Sequence, residues 1–374
     1  MKALHKLVVL SSLLTPSTIM ATSLDDCLVS YLNTRYGDTT HSPGAAVIIA
    51  KGDSIITEYY TGIADMQTGR KIGPETTFNI ASVSKQFTVT ALLKCASDSL
   101  VDIDSPMSDF VPYTADFWHT VTPRHLASQS SGIPDARDRS SHEACVYATD
   151  EISKSYFPLV KSTLFTPGSA YDYVNPTFIL LADIVSKVSG IDFFKYQQDN
   201  IFTPAGMNNT YYFDPCHTPL VQSHAYAPDS LGAWHEYDYG EETFFATRPD
   251  GGIYSTARDM LAWEKALADG LILSPRWRDM AYTPHTDVAS SRWCDYQQRP
   301  YTWYGLGWFI HALPGRPRKV FHTGDNGGYQ AYVCKYPADD LRVIVLENRH
   351  DLDRWSLATD IENILINAGI LTAD

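Results

Sequence analysis

The chain has 374 residues, 43 of them acidic and 29 basic, giving a formal charge of −14. A nucleic-acid surface needs clustered Lys and Arg to neutralise phosphates, and this composition excludes one. The carboxylate surplus is read as a solvated exterior that favours solubility, and the length exceeds a usual single-core domain, so a two-lobed body is expected.

Lys2 and Lys6, the apolar run 7–14 and a small residue at Ala21 or Ser23 read as an export signal over residues 1–23. The run is too short to cross a bilayer, so no stable membrane insertion is expected. Asp25 and Asp26 ahead of Cys27 do not fit a lipoprotein cleavage site. The expectation is a periplasmic or secreted protein.

Residues 24–35 place Leu24, Cys27, Leu28, Tyr31 and Leu32 on one helical face. Residues 45–51 and 55–62 are β-rich, joined by the hairpin signal Lys51-Gly52-Asp53-Ser54. From residue 76 to about 270 the pattern is helical and loop-rich. Strand character returns at 303–310, 319–322, 329–336 and 341–346, and a last helix over 352–368 carries Trp355, Leu357, Ile361, Ile364 and Leu365. This order predicts an α+β fold, an antiparallel sheet flanked by terminal helices with an inserted, mostly helical lobe. The sheet lobe is assigned to about 24–75 and 300–374, and the helical lobe to about 76–299.

Three motifs carry chemistry. Ser82-x-x-Lys85 is the only such pair in the chain and sits where an apolar helix begins, so residues three apart share a face and the Lys85 amine can reach the Ser82 hydroxyl. A serine without a histidine base needs such a partner to lose its proton. Alone, a serine here is ordinarily a helix cap. Tyr173-x-Asn175 follows a loop marked by Pro167, Gly168, Ser169 and Asp172, and His322-Thr323-Gly324 ends a strand ahead of Gly327 and Gly328. A second Tyr-x-Asn, Tyr31-Leu32-Asn33, lies on the first helix, where core packing explains it.

In this order the three motifs resemble the serine β-lactamase and penicillin-binding-protein superfamily, and within it the branch of class C β-lactamases, D-Ala-D-Ala carboxypeptidases and esterases. Thr76-Thr77-Phe78, Arg124-His125-Leu126 through Ser131-Gly132-Ile133-Pro134, Gly251-Gly252-Ile253 through Asp259, and Tyr304-Gly305-Leu306-Gly307-Trp308 look like this branch too, so the resemblance covers roughly residues 40 to 350. It implies catalysis by Ser82, Lys85 and Tyr173. Asn175, His322, Thr323 and Gly324 would bind substrate, and the backbone N–H groups of Ser82 and Asp325 would form the oxyanion hole. Such donors contribute about 3 kcal/mol each to a transition state.

Lys85 and Tyr173 have reference pKa values of about 10.4 and about 10, so a base at neutral pH requires a shift of roughly 3 units, about 4 kcal/mol. Adjacent groups titrate as a pair, which leaves open which of the two is the base. His322 replaces the lysine usual in β-lactamases. An imidazole of pKa about 6.5 is mostly neutral at pH 7 and gives no fixed charge for a substrate carboxylate. Carboxypeptidases and esterases of the branch often carry His at this place. Gln129, where relatives commonly have His, is a second departure and points to altered local packing.

The cysteines at 27, 95, 145, 216, 294 and 334 allow 15 full pairings. Cys95 and Cys334 fall in apolar elements suited to buried thiols, whereas Cys145, Cys216 and Cys294 lie in loop-like segments that suit a bridge. No spacing forms a metal site, and His142-Glu143-Ala144-Cys145 lacks partners for one. The combined reading is an exported serine hydrolase without cofactor or metal, cleaving an ester or amide through an acyl-Ser82 intermediate. Its substrates are small molecules or peptides: esters, D-amino-acid amides or β-lactams. A class C-type β-lactamase and a non-catalytic ligand-trapping protein are the alternatives. A generic α/β-hydrolase lacks support because no Gly-x-Ser-x-Gly occurs. No sequence feature specifies oligomeric state.

Overall fold

The structure is a computed structural model that describes residues 23–135, 149–214, 219–237, 247–289 and 299–372. Residues 1–22 of the expected export signal over 1–23, together with Cys145, Cys216, Cys294 and the His142 segment, lie outside the described residues.

Helix α1 (Leu24–Tyr36) starts with a capping box in which the Ser23 hydroxyl accepts from Asp26 N and the Asp26 carboxylate accepts from Ser23 N. Strands β1 (Ala45–Lys51) and β2 (Ser54–Thr61) form the expected hairpin. Four helices then cover one side of the sheet or build the inserted lobe: α2 (Ser84–Ser97), α3 (Thr177–Ser189), α4 (Ala257–Ala268) and α5 (Pro275–Ala281). The chain returns through β3 (Thr286–Asp287), β4 (Thr302–Tyr304), β5 (Phe309–His311), β6 (Lys319–Asn326), β7 (Tyr329–Tyr336) and β8 (Leu341–Glu347), and ends in α6 (Arg354–Asn367). The eight strands are antiparallel in the order β3-β4-β5-β6-β7-β8-β1-β2. Ala45 pairs with Glu347 and Lys51 with Leu341, so the first hairpin and the last strands share one sheet, with the helical segment inserted between them.

Side-chain alternation along each strand sorts the sheet into two cores. Ala46, Ile48, Val320, Val333, Ile344 and Leu346 face α2, α3 and α4. Ala45, Val47, Ile49, Phe321, Val343 and Val345 face α1 and α6. Both faces are covered, which is why β1, β7 and β8 read as nearly unbroken apolar runs. Helix α2 is buried almost all round, as a helix through the middle of a fold must be.

Two expectations need adjustment. Residues 303–310 are not one strand but β4 and β5 folded about Gly305-Leu306-Gly307, where Gly307 has φ +83°. β6 runs four residues past the expected end at His322, because Thr323 through Asn326 stay in register with Tyr332 through Tyr329. Tyr31 packs toward α6 and donates to Asp360 at 2.8 Å, and Cys95 and Cys334 are buried free thiols.

Helix α6 is fastened to the sheet by Glu362, which meets Lys319 Nζ at 2.9 Å, Arg316 Nε at 3.3 Å and the Tyr336 hydroxyl at 2.8 Å. The Glu362 and Lys319 side chains are 4% and 8% exposed, so removing the carboxylate strands a buried cation. Glu362→Ala is expected to lower unfolding free energy by about 3 kcal/mol, measured by chemical denaturation.

Candidate active site

Ser82 lies in the one-turn 3-10 helix Ala81–Val83 that leads directly into α2. Ala81 has φ +45°, a conformation that costs a residue with a Cβ on the order of 1 kcal/mol and persists only where its surroundings impose it. They do so from three sides. Ala81 N donates to Asn79 Oδ1 at 2.8 Å, and Ile80 N donates to Ile253 O at 2.9 Å. Gly324 of β6 supplies the third support: a Cβ there would stand 2.2 Å from Ile80 O and 3.1 Å from Ala81 Cβ. The glycine of His322-Thr323-Gly324 is therefore the contact through which the sheet reaches the serine turn.

Lys85, one helical turn on, is fully buried and donates to Ser82 Oγ at 3.0 Å and to Asp250 O at 2.9 Å. Ser84 Oγ accepts from Ile253 N, and Thr88 Oγ1 donates to Pro249 O at 2.6 Å, so the start of α2 is tied to the 249–253 segment. Tyr173 closes the third side: Lys85 Nζ lies 4.9 Å from its ring centroid and 5.3 Å from that of Phe178. Alcohol, amine and phenol ring thus meet at one place. Asn175 stands two residues from Tyr173, and its Oδ1 is buried without a hydrogen-bond partner.

His322 is also at this place, its ring centroid 6.4 Å from that of Tyr173, but it is only 1% exposed. Burial lifts the Tyr304 hydroxyl well above its ordinary pKa, so this phenol keeps its proton and donates to His322 Nε2 at 3.0 Å. The other nitrogen, Nδ1, donates to Thr323 O at 2.6 Å. Burial first, then the nearby Lys85 charge, push the His322 pKa down to about 3. The imidazole is neutral with both nitrogens occupied, and it presents no cation. Thr323 is 8% exposed, and Asp325 reaches away from the turn to Arg354 Nη2 at 2.6 Å, while Arg354 Nη1 donates to Gly324 O at 3.0 Å. β5 pairs with β6 only as far as Phe321, so among the described residues the segment from His322 to Asn326 has an open edge on that side.

Ser82, Lys85, Tyr173, His322 and Gly324 are therefore brought together where the sheet meets the helices, with Asn175 two residues beyond Tyr173. Sequence reasoning did not assign Asp250, Tyr304 or Arg354. Asp250 acts through its carbonyl, which no residue type signals, although Asp250 and Tyr304 both border segments of the family resemblance. At the β6–β7 turn, Gly328 N donates to Tyr237 O at 2.7 Å. Among the described residues no group of three or more His, Cys, Asp or Glu side chains could hold a metal, and no helix is long and apolar enough to cross a membrane.

A buried lysine on a serine at a helix start, a tyrosine on the opposite wall and a bare strand edge beside them define a serine hydrolase of the penicillin-recognising fold. The chain belongs to the Beta-lactamase family, whose model matches residues 31–363. Penicillin-binding protein 4* of Bacillus subtilis (strain 168) is 26% identical over 326 residues, which span 83% of this chain and 69% of that protein. Protein flp of Staphylococcus aureus (strain MW2) is 24% identical over 82% of this chain, and the match takes in only 60% of its own length. Among solved structures, the penicillin binding protein from Bacillus halodurans superposes with a TM-score of 0.74 at 27% identity, covering 89% of this chain and 99% of the other.

Two outcomes test this geometry. Gly324→Ala should force β6 off the serine turn and lower kcat/KM by about 100-fold, as an ångström-scale misplacement does, with a loss of about 1–3 kcal/mol in stability from overpacking. His322 is neutral in the folded chain and has its ordinary value near 6.5 when unfolded, so its burial costs nothing above pH 6.5. Stability is then lost as pH falls from 6.5 toward 3. The melting temperature of the wild type should drop more steeply than that of His322→Gln across that window, and parallel curves would contradict the assignment.

Proposed function

We propose that the chain is an exported hydrolase of esters or amides that works through an acyl-Ser82 intermediate, allied to the D-Ala-D-Ala carboxypeptidase and esterase branch of its family. The observation that carries this reading is the 3.0 Å contact between the buried Lys85 Nζ and Ser82 Oγ. Ser82 attacks the carbonyl carbon and its proton passes to the Lys85–Tyr173 pair. The backbone N–H groups of Ser82 and Asp325 receive the oxyanion. Tyr173 returns a proton to the leaving group and then activates the water that releases the acid and restores Ser82. Asn175 Oδ1, buried without a partner, accepts an N–H from the acyl side of an amide substrate. Thr323 and Gly324 line the strand edge along which an extended substrate lies.

The neutral, enclosed His322 orders the substrate classes. A site without a fixed cation at this place gains little from a substrate carboxylate, so esters and D-amino-acid amides stand ahead of β-lactams. Export rests on the N-terminal pattern of Lys2, Lys6 and the apolar run that follows.

A chromogenic short-chain ester, a D-Ala-D-Ala peptide and nitrocefin, assayed with wild type and Ser82→Ala, test the proposal. The wild type should turn over the ester, which carries no carboxylate, faster than nitrocefin, and Ser82→Ala should lose about 1,000-fold or more on every substrate the wild type accepts. A fluorophosphonate should add one equivalent of mass to wild type and none to the variant. Turnover surviving in Ser82→Ala on all three substrates would overturn the mechanism.

A further inference from the structure

Gln129 stands at a turn that touches neither Ser82 nor Lys85 in any described contact, yet it brackets Tyr173. Its carbonyl accepts from Asp172 N at 2.9 Å, and its side-chain Oε1 accepts from Val174 N at 2.9 Å. The two amides flanking Tyr173 are thus bound to one residue. Gln129 is 2% exposed and has φ +56°, an orientation in which carbonyl and side chain both serve the neighbouring loop. The turn is itself anchored from behind. Thr286 Oγ1 of β3 donates to Ser128 O at 3.1 Å, Gly307 N donates to Ala127 O at 3.0 Å, and Gln129 N donates to Leu126 O at 3.1 Å. Two further bonds carry the same alignment along the loop, Gly168 N to Ser130 O at 2.8 Å and Leu164 N to Gly132 O at 2.7 Å.

A tyrosine on a loop is a poor proton carrier unless its backbone is fixed, because an error of an ångström at the phenol oxygen spoils transfer. We propose that Gln129 is a positioning residue for Tyr173, its Oε1 setting the backbone on the C-terminal side of the tyrosine so that the ring faces Lys85. Gln129 Nε2 is buried without a hydrogen-bond partner. Only the acceptor half of the amide is used, so the side chain is kept for one bond, to Val174. The inference rests on the acyl-Ser82 reading above.

The chemistry of the leaving group isolates this role. A proton delivered by Tyr173 matters for a basic leaving group and little for one that departs unaided, so phenyl acetate and para-nitrophenyl acetate share an acyl group and differ in their need for Tyr173. Gln129→Met keeps an unbranched stem and the same backbone demand but removes the acceptor. It should lower kcat/KM for phenyl acetate by at least about tenfold, the low end of a general-acid contribution, and that for para-nitrophenyl acetate by clearly less. Gln129→Glu keeps an acceptor oxygen for Val174, and burial holds its carboxyl in the neutral, protonated form that exchanges the unpartnered amide donor for a hydroxyl, so it should recover the wild-type ratio of the two esters. In a Tyr173→Phe background, Gln129→Met should change the ratio no further, because the residue acts through the phenol. Equal losses on both esters in Gln129→Met, or multiplying effects in the double variant, would overturn the proposal, and the Gln129→Glu ratio decides it if Gln129→Met fails to fold. Loss of both ester activities in Ser82→Ala is the separate test of the underlying mechanism.

Discussion

The arrangement rests on the contact between the backbone of Gly324 in β6 and the Ile80–Ala81 carbonyl turn ahead of Ser82. A strand without a side chain lets the sheet lobe press directly on the turn, and that pressure holds Ala81 at a φ it would not otherwise keep. The consequences spread outward. Helix α2 starts from a fixed point, and Lys85 is delivered into the core with Ser82 Oγ and the Asp250 carbonyl as its acceptors. The sheet contributes shape and the helices contribute reactivity, and neither produces the site alone.

Polarity within the site is divided by burial. Lys85 is buried but bonded to Ser82 Oγ and the Asp250 carbonyl and lies near two aromatic rings, so its amine keeps polar partners inside the fold. His322 is equally buried, and its two bonds to Tyr304 and Thr323 fix the neutral tautomer. Arg354 is the other cation at this end of β6, and Asp325 neutralises it at 2.6 Å. Among the described residues, the positive charge beside His322 is thus that of Lys85, while Arg354 is paired with Asp325.

Much of this was legible in the sequence because it depends on short-range spacing. Ser82 and Lys85 are one turn apart on a helix, and the nearly unbroken apolar runs of β1, β7 and β8 register their burial on both faces. The parts that were not legible depend on chain segments far apart in sequence. Nothing in residues 303–310 separates a strand from a tight hairpin until Gly305 is seen against the Ala281 carbonyl. Gln129 could be noticed as a departure, but its grip on Asp172 and Val174 is made as much by a carbonyl as by a side chain. The sequence put His322 near half-titration at slightly acid pH, and burial, with the Lys85 charge nearby, moves it out of that range.

The pairing of β1 with β8 has a kinetic side. Ala45 finds its partner at Glu347, so the hairpin made first during synthesis keeps an unsatisfied edge until nearly the whole polypeptide has emerged. Closure of the sheet, and with it the strand that supports the Ser82 turn, therefore waits for residues 319–347, and activity should arise abruptly with those strands rather than accumulate lobe by lobe.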